Sequence, residues 1–147
     1  MSFHSVLTGA AVWPADLATA GIVSAASRVY TGRRRQTVTH TDGEVWLEQI
    51  PTEQAGMGLQ GLSRHVYLVH VYQGPFNAGP GKTGEAQLDA VEAKLETIAE
   101  RYHGTATFVG TLTGITAIEA NVETVDVDPE LDNVIEGTVL VTFLVSR

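Results

Sequence analysis

The clearest pattern of apolar and polar positions in the chain lies between residues 85 and 103. Apolar side chains recur there in alternating steps of three and four residues, which is the period of one stripe along an α-helix. Thr83 is a typical N-cap before this stretch, and Gly104 is a typical C′ residue after it. The pattern predicts a long amphipathic helix that packs through five apolar residues: Leu88, Val91, Leu95, Ile98 and Tyr102.

Three other stretches have the composition or the two-residue alternation of β-strands. Residues 64–73 are rich in β-branched and aromatic side chains. Residues 115–127 alternate between apolar and polar, and the alternation slips by one position at Val125, which indicates a β-bulge or a strand end. Residues 134–146 are apolar on one face and half apolar on the other, which is typical of a central strand.

The first third of the chain combines a helical composition with a hairpin signal. Residues 14–30 contain a stripe of small side chains, and they predict an N-terminal helix closed by Gly32. Asp42-Gly43 separates two β-favouring runs, residues 36–41 and 44–50, and such a pair predicts a hairpin because both residues accept a positive φ.

The remaining stretches predict loops or show no clear period. Residues 1–12 have no period, and residues 104–114 fit either a loop or a short strand. Residues 74–84 and 128–133 carry the glycines, prolines and aspartates of loops and turns. The loop at residues 52–62 is long for a compact domain, so it is either a binding or assembly loop or a tolerated insertion.

These elements predict an α+β fold in a single domain that spans residues 1–147. We expect a mostly antiparallel sheet of about four strands, packed by the long helix and the N-terminal helix. The 147 residues fit one domain, and the hydrophobic fraction of 44% is sufficient for a core.

Composition and charge exclude several classes of function. The net charge of −8 argues against nonspecific attraction to nucleic acid or to an anionic membrane, and specific nucleic-acid binding is not expected. No apolar run approaches the roughly 18 residues of a membrane span. The N-terminus lacks the basic region of a signal peptide. The absence of cysteine excludes disulfides, thiolate zinc sites and cysteine nucleophiles.

The motifs that suggest chemistry fail on their spacing. Gly79–Thr83 resembles the end of a phosphate-binding loop, but Phe76 stands where the motif needs glycine, and Pro80 lacks a backbone N–H. His65 and His70 are separated by an odd number of positions, so a strand puts them on opposite faces and they cannot share a metal ion. No nucleophilic serine motif is present. We therefore predict no catalytic residue, no cofactor and no metal.

Two charged groups suggest an interface. Arg33, Arg34 and Arg35 form the only basic run of the sequence. The long helix carries three glutamates at steps of four on one flank: Glu92, Glu96 and Glu100. The simplest interpretation of both groups is a solvated surface. The alternative interpretation is that the glutamates of one subunit face the arginines of the next.

The order of the elements resembles that of the tail terminator proteins of long-tailed bacteriophages, also called tail completion or minor tail U-type proteins. The resemblance rests on residues 65–72 (HVYLVHVY), on the helix 85–103, and on residues 115–127 leading into residues 137–145 (GTVLVTFLV). It covers roughly residues 38–147.

The resemblance implies a structural virion protein and not an enzyme. Such a protein would form an oligomeric ring, expected to be hexameric, that caps the tail tube, ends its polymerisation and presents a surface to the head connector. Its partners would be further copies of itself, the tail tube protein and the head–tail connector protein. Its location would be the virion tail, assembled in the host cytoplasm.

Two alternatives remain open at this point. A related structural role is that of a tail tube or head–tail connector subunit. A role from another class is that of a small cytoplasmic ferredoxin-like enzyme or ligand-binding domain, which would require a concave pocket with convergent polar groups.

Overall fold

The computed structural model describes residues 3–32, 43–51, 62–74, 83–104, 112, 114–127 and 134–146. Its elements in chain order are helices α1 (Phe3–Leu7) and α2 (Trp13–Thr19), a 3₁₀ turn (Ala26–Arg28), strands β1 (Val29–Tyr30), β2 (Glu44–Ile50) and β3 (Leu62–Gln73), helix α3 (Gly84–Tyr102), and strands β4 (Ile115–Val127) and β5 (Ile135–Ser146). The fold is α+β and forms a single domain, as predicted.

The strands form one mixed sheet of five strands in the order β1-β2-β3-β5-β4. Every neighbouring pair is antiparallel except β1 and β2, which are parallel. The four long strands lie within two residues of their predicted bounds. The slip of alternation near Val125 is a real irregularity, because the register with β5 shifts between Val122 and Thr124. β5 is central, as its apolar pattern predicts.

Helix α3 begins at its predicted N-cap, since the Thr83 hydroxyl accepts a hydrogen bond from the Ala86 backbone N–H at 3.1 Å. Four of the five predicted stripe residues are buried, but the prediction for Leu88 is wrong: its side chain is 37% exposed. Gln87 is buried instead. On a helical wheel Gln87 and Leu88 lie about equally far on either side of the buried stripe. The packing against β3 decides between them, because Gln87 accepts a hydrogen bond from Gln73 there.

The predicted N-terminal helix is wrong beyond Thr19. Gly21 adopts a φ of 81°, and the Ile22 N–H donates to the Leu17 carbonyl at 3.0 Å. This is a Schellman motif, which ends a helix with a left-handed residue and a hydrophobic contact across the turn. Ile22 and Leu17 are both buried in the core.

Two elements at the N-terminal end differ from the sequence analysis. Residues 3–7 form α1, although no period indicates it, and Leu7 is buried. Residues 29–30, predicted as helix, form the short edge strand β1 beside β2. The predicted strand 36–41 and turn 128–133 lie outside the described residues, as do residues 52–61, 75–82 and 105–111 of the predicted loops.

The described helices all pack on one face of the sheet, where they enclose the main core. Trp13 in α2 is fully buried there and meets Tyr67, Tyr102 and Phe143 edge to face at 5.3–5.9 Å. Helix α3 lies over β3, β5 and β4 and approaches β5 closely at Gly137. The opposite face of the sheet carries no described helix.

Candidate functional site

Helix α3 has two chemically different flanks. The flank toward β3 and α2 carries Gln87, Lys94 and Arg101 at steps of seven residues. Gln87 and Lys94 bond to the Gln73 side chain, with the Lys94 ammonium 2.8 Å from its oxygen. Arg101 binds Asp16 in α2. Both basic residues of the helix are therefore turned toward partners within the same chain.

The other flank of α3 is acidic and faces solvent. Its exposed carboxylates include all three glutamates of the interface hypothesis: Glu85, Asp89, Glu92, Glu96 and Glu100. Because the opposite flank contacts β3, this flank lies on the side of the sheet that ends at β4. Like charges at steps of four repel one another, so this surface suits a basic partner.

Two large hydrophobic side chains of the described chain are exposed, and both belong to the same side of the molecule. Leu88 lies on α3 next to the acidic flank, and Val122 lies on the edge strand β4 with 46% of its side chain exposed. Together with the acidic residues they form what we call the β4-side surface: Leu88, Val122, Glu92, Glu96 and Glu100. It combines apolar contact area with negative charge.

The arginine cluster at residues 33–35 lies outside the described residues, so the structure does not bring it together with the glutamates. The described chain reaches Gly32, directly before the cluster. Gly32 follows β1, the edge strand opposite β4, and its carbonyl accepts a hydrogen bond from the Trp46 indole at 3.1 Å. The chain thus enters the basic run at the edge of the sheet that lies farthest from β4.

Part of the β4 edge is closed to further strand pairing. The Gly104 N–H donates to the Ile118 carbonyl at 2.8 Å, and the Ala120 N–H donates to His103 Nδ1 at 3.3 Å. The residues after α3 thereby occupy backbone groups that an edge strand would offer to another chain. Any contact at this side therefore depends on side chains at least around residues 118–120.

The uncovered face of the sheet holds a charged cluster that the sequence analysis missed. His70 is buried and lies between Glu136, 2.6 Å from its Nδ1, and Glu48, 2.8 Å from its Nε2. Its ring stacks on Trp46 at 4.4 Å and lies nearly parallel to Tyr72 at 6.2 Å. Each of the two ring nitrogens of His70 therefore faces a carboxyl oxygen.

This cluster ties β2, β3 and β5 together and engages the two glutamates with His70. His65 lies on the opposite face of β3, where it contacts Phe3, so the predicted separation of the two histidines is confirmed. Within the described ranges, no group of three His, Asp or Glu side chains is arranged to hold a metal ion. A signal for the cluster exists in the sequence only as isolated residues on three strands.

An open groove of about 310 Å³ lies on the same uncovered face and is lined by other residues than this cluster. Its lining is largely apolar, and it comes from β3, β4 and β5: Arg64, Val66, Ala117, Glu119, Leu140, Thr142 and Leu144. Its charged groups are one arginine and one glutamate. This is the described feature that comes nearest to the pocket that a ligand-binding domain requires.

A buried ionic network joins α2 to α3 beneath the sheet. The Asp16 carboxylate accepts hydrogen bonds from Arg101 Nε at 2.8 Å, from Arg101 Nη2 at 2.7 Å and from the Tyr102 hydroxyl. The hydrogen bond to Asp16 raises the pKa of Arg101, and burial raises the pKa of Tyr102 well above its ordinary value, with the bond to Asp16 as the second cause. This network ties α2 to α3.

Comparison of the chain with models of known protein families finds no match, and comparison with curated proteins finds none either. In the described part of the chain, no helix is long and apolar enough to cross a membrane.

Proposed function

We propose that this protein is a structural subunit of a bacteriophage tail that assembles as a ring, and that the ring caps the tail tube. The α+β fold agrees with the element order on which the resemblance rests. The observation that carries the proposal is an acidic surface on one side of the sheet, while the described chain reaches Gly32, directly before the basic run, beside the edge strand on the other side. The acidic, partly apolar β4-side surface lies at one end, and the chain enters Arg33–Arg35 beside β1 at the other end.

Opposed and unlike surfaces are what a closed ring requires. In a head-to-tail contact each subunit presents one surface to one neighbour and a different surface to the next. Four strand spacings of about 4.8 Å separate β1 from β4, so one subunit could reach both neighbours at once. Charge complementarity would set the direction of docking. Exposed ion pairs contribute only about 0–1 kcal/mol each, so Leu88 and Val122 would supply apolar contact area.

The ring would be expected to be hexameric, with the tail tube protein and the head–tail connector protein as its axial partners. A role as a tube or connector subunit would use the same lateral contact and differ in its axial partners. The ring function requires no catalytic residue and no cofactor.

The lateral contact is tested by native mass spectrometry of charge-reversal variants. Replacing Arg33, Arg34 and Arg35 by glutamate should weaken the oligomer, more at low than at high salt, and replacing Glu92, Glu96 and Glu100 by lysine should do the same. Combining all six changes should restore the oligomer. The variant with all six changes also controls for net charge. The three Arg→Glu changes and the three Glu→Lys changes cancel, so its net charge stays at −8.

Electron microscopy of the wild-type oligomer would show whether it is a closed ring. A wild-type protein that stays monomeric at high concentration would refute the proposal. Triple variants that assemble as well as the wild type would refute this particular contact.

The groove on the uncovered face is the observation that favours the alternative, a ligand-binding domain. That function predicts a monomer whose groove binds a small molecule with apolar and charged groups. Replacing Thr142 with leucine would fill the groove and abolish such binding, but it would leave ring assembly intact.

A further inference from the structure

The edge strand β4 has an open backbone beyond the stretch that the end of α3 closes. The hydrogen bonds of the Ile118 carbonyl and the Ala120 N–H show that alternate residues of β4 direct these groups away from β5. By the same alternation, the N–H and the carbonyl of Val122 point away from β5. Within the described chain no residue bonds to them, and residues 121–124 are all exposed. The strand therefore offers unpaired backbone groups to another chain.

The side chains beside this open backbone are apolar on the face that the helices cover. Ile118 and Ala120 belong to the main core, and Val122, two residues further on, lies on the same face with 46% of its side chain exposed. Val125, beyond the bulge, packs partly against the same core. A further strand along this edge would place a side chain next to Val122, so it would cover Val122 and extend the core past β4.

The charged side chains of β4 are acidic. The strand contains no lysine or arginine, and its Glu119 and Glu123 are exposed. The acidic flank of α3 lies on the same side of the molecule. Two β4 edges brought together would place carboxylates near carboxylates, so these charges oppose pairing with the β4 strand of a second copy. They favour a strand that carries basic side chains.

We propose that the open edge of β4 binds an extended basic segment of another protein, which adds antiparallel to β4 as a further strand of the sheet. The segment would exchange backbone hydrogen bonds with Val122 and cover it with an apolar side chain. Lysine or arginine at the alternate positions would meet the acidic side chains of β4. Segments that add to a sheet edge gain affinity from main-chain bonds and specificity from alternate side chains. The contact does not depend on the lateral ring contact.

Amide hydrogen exchange measured by NMR tests the proposal with the peptide Lys-Thr-Lys-Val-Lys-Thr-Lys, blocked at both ends. Exchange at the Val122 amide should slow by about tenfold when the peptide occupies about nine-tenths of the protein, because only the free protein then exchanges there. The Leu95 amide, which is bonded within α3, should not change. The measurement is made on the wild type and on the triple variant Arg33→Glu/Arg34→Glu/Arg35→Glu, in which the proposed ring contact cannot occupy the β4 side.

Two matched changes separate strand addition from a general attraction between charges. A peptide with N-methyl valine at its centre keeps its charge but lacks the N–H that would donate to the Val122 carbonyl, so it should slow exchange at Val122 by less than about twofold. The double variant Glu119→Lys/Glu123→Lys should bind the lysine peptide at least about tenfold more weakly. It should instead bind the peptide in which glutamate replaces each lysine.

The proposal is overturned if the lysine peptide does not bind, if it binds without slowing exchange at Val122, or if the N-methyl peptide slows that exchange equally. Slower exchange at Val122 when the protein alone is concentrated would show pairing with a second copy, and it would also overturn the proposal. A wild-type protein that stays monomeric refutes the ring but leaves the expected result with the peptide unchanged. The two proposals therefore fail separately.

Discussion

Replacing Leu95 by alanine is the most direct test of how α3 packs. The Leu95 side chain is 1% exposed and lies over Gly137 in β5. A Cβ atom built at Gly137 would lie 2.6 Å from Leu95 Cδ1 and 2.7 Å from Val91 Cγ1. The glycine therefore lets the helix approach the sheet so closely that the leucine fills the space above bare backbone.

The expected cost follows from that arrangement. Removing a buried leucine costs about 2–5 kcal/mol, and the value rises with the volume that the surroundings cannot refill. Gly137 has no side chain that could move into the cavity, so we expect a value in the upper half of this range. Leu88→Ala on the same helix is the matched control. Because Leu88 is 37% exposed, the same change should cost less than about 1 kcal/mol.

Urea denaturation followed by circular dichroism measures both variants. With a slope of about 1–3 kcal/mol per molar urea, a loss of 3 kcal/mol or more lowers the midpoint by at least 1 M. The slope itself should stay unchanged. A change below about half a kcal/mol in Leu95→Ala, or equal losses in both variants, would show that the described orientation of α3 is wrong.

Two further changes probe the same packing by other means. Gly137→Ala should destabilise the fold by about 1–3 kcal/mol in the same urea assay, because the new methyl group would overlap Leu95 and Val91. Gly32→Ala is the control and should be nearly neutral, because there is open space around the Cα atom of Gly32. Asp16→Asn should cost about 1–3 kcal/mol, because it removes the carboxylate that accepts hydrogen bonds from Arg101 and from the buried Tyr102 hydroxyl, while Arg101 stays partly exposed to solvent, and a loss below about half a kcal/mol would contradict the network.

The sequence predicts the elements whose periodicity is long and unbroken. The strands at 44–50, 64–73, 115–127 and 134–146 and the helix at 85–103 each carry many residues of one period, and the structure contains all of them. The irregularity near Val125 can also be predicted from the sequence, because a bulge moves the alternating apolar positions along the strand by one residue.

Periodicity does not predict very short elements. It also does not predict burial that depends on contacts with residues far along the chain. The two residues of β1 have no period, and their partner strand begins fourteen residues later. The end of α2 has a local signal in Gly21, but the small-residue stripe beyond it obscures that signal. Burial of Gln87 in place of Leu88 depends on Gln73, which belongs to another element.

The residues of the candidate sites are also predictable where the period of one helix or strand decides their position, and not where contacts between strands decide it. The exposure of Glu92, Glu96 and Glu100 follows from the helical period and is observed. The opposite placement of His65 and His70 follows from the strand period and is observed as well. The contacts of His70 with Glu48 and Glu136 require the register of two further strands, which no local pattern contains.

The acidity of the β4-side surface results from how the fold uses its few basic residues. Lys94 and Arg101 are the cations of α3, and the fold turns both toward Gln73 and Asp16. The carboxylates on the other flank then have no cation of their own helix beside them, and their mutual repulsion costs the chain some stability. A neighbour that brings basic side chains to this flank would relieve that repulsion and cover Leu88 and Val122 in the same contact. The charge arrangement that costs the single chain stability would therefore favour contact with a basic partner.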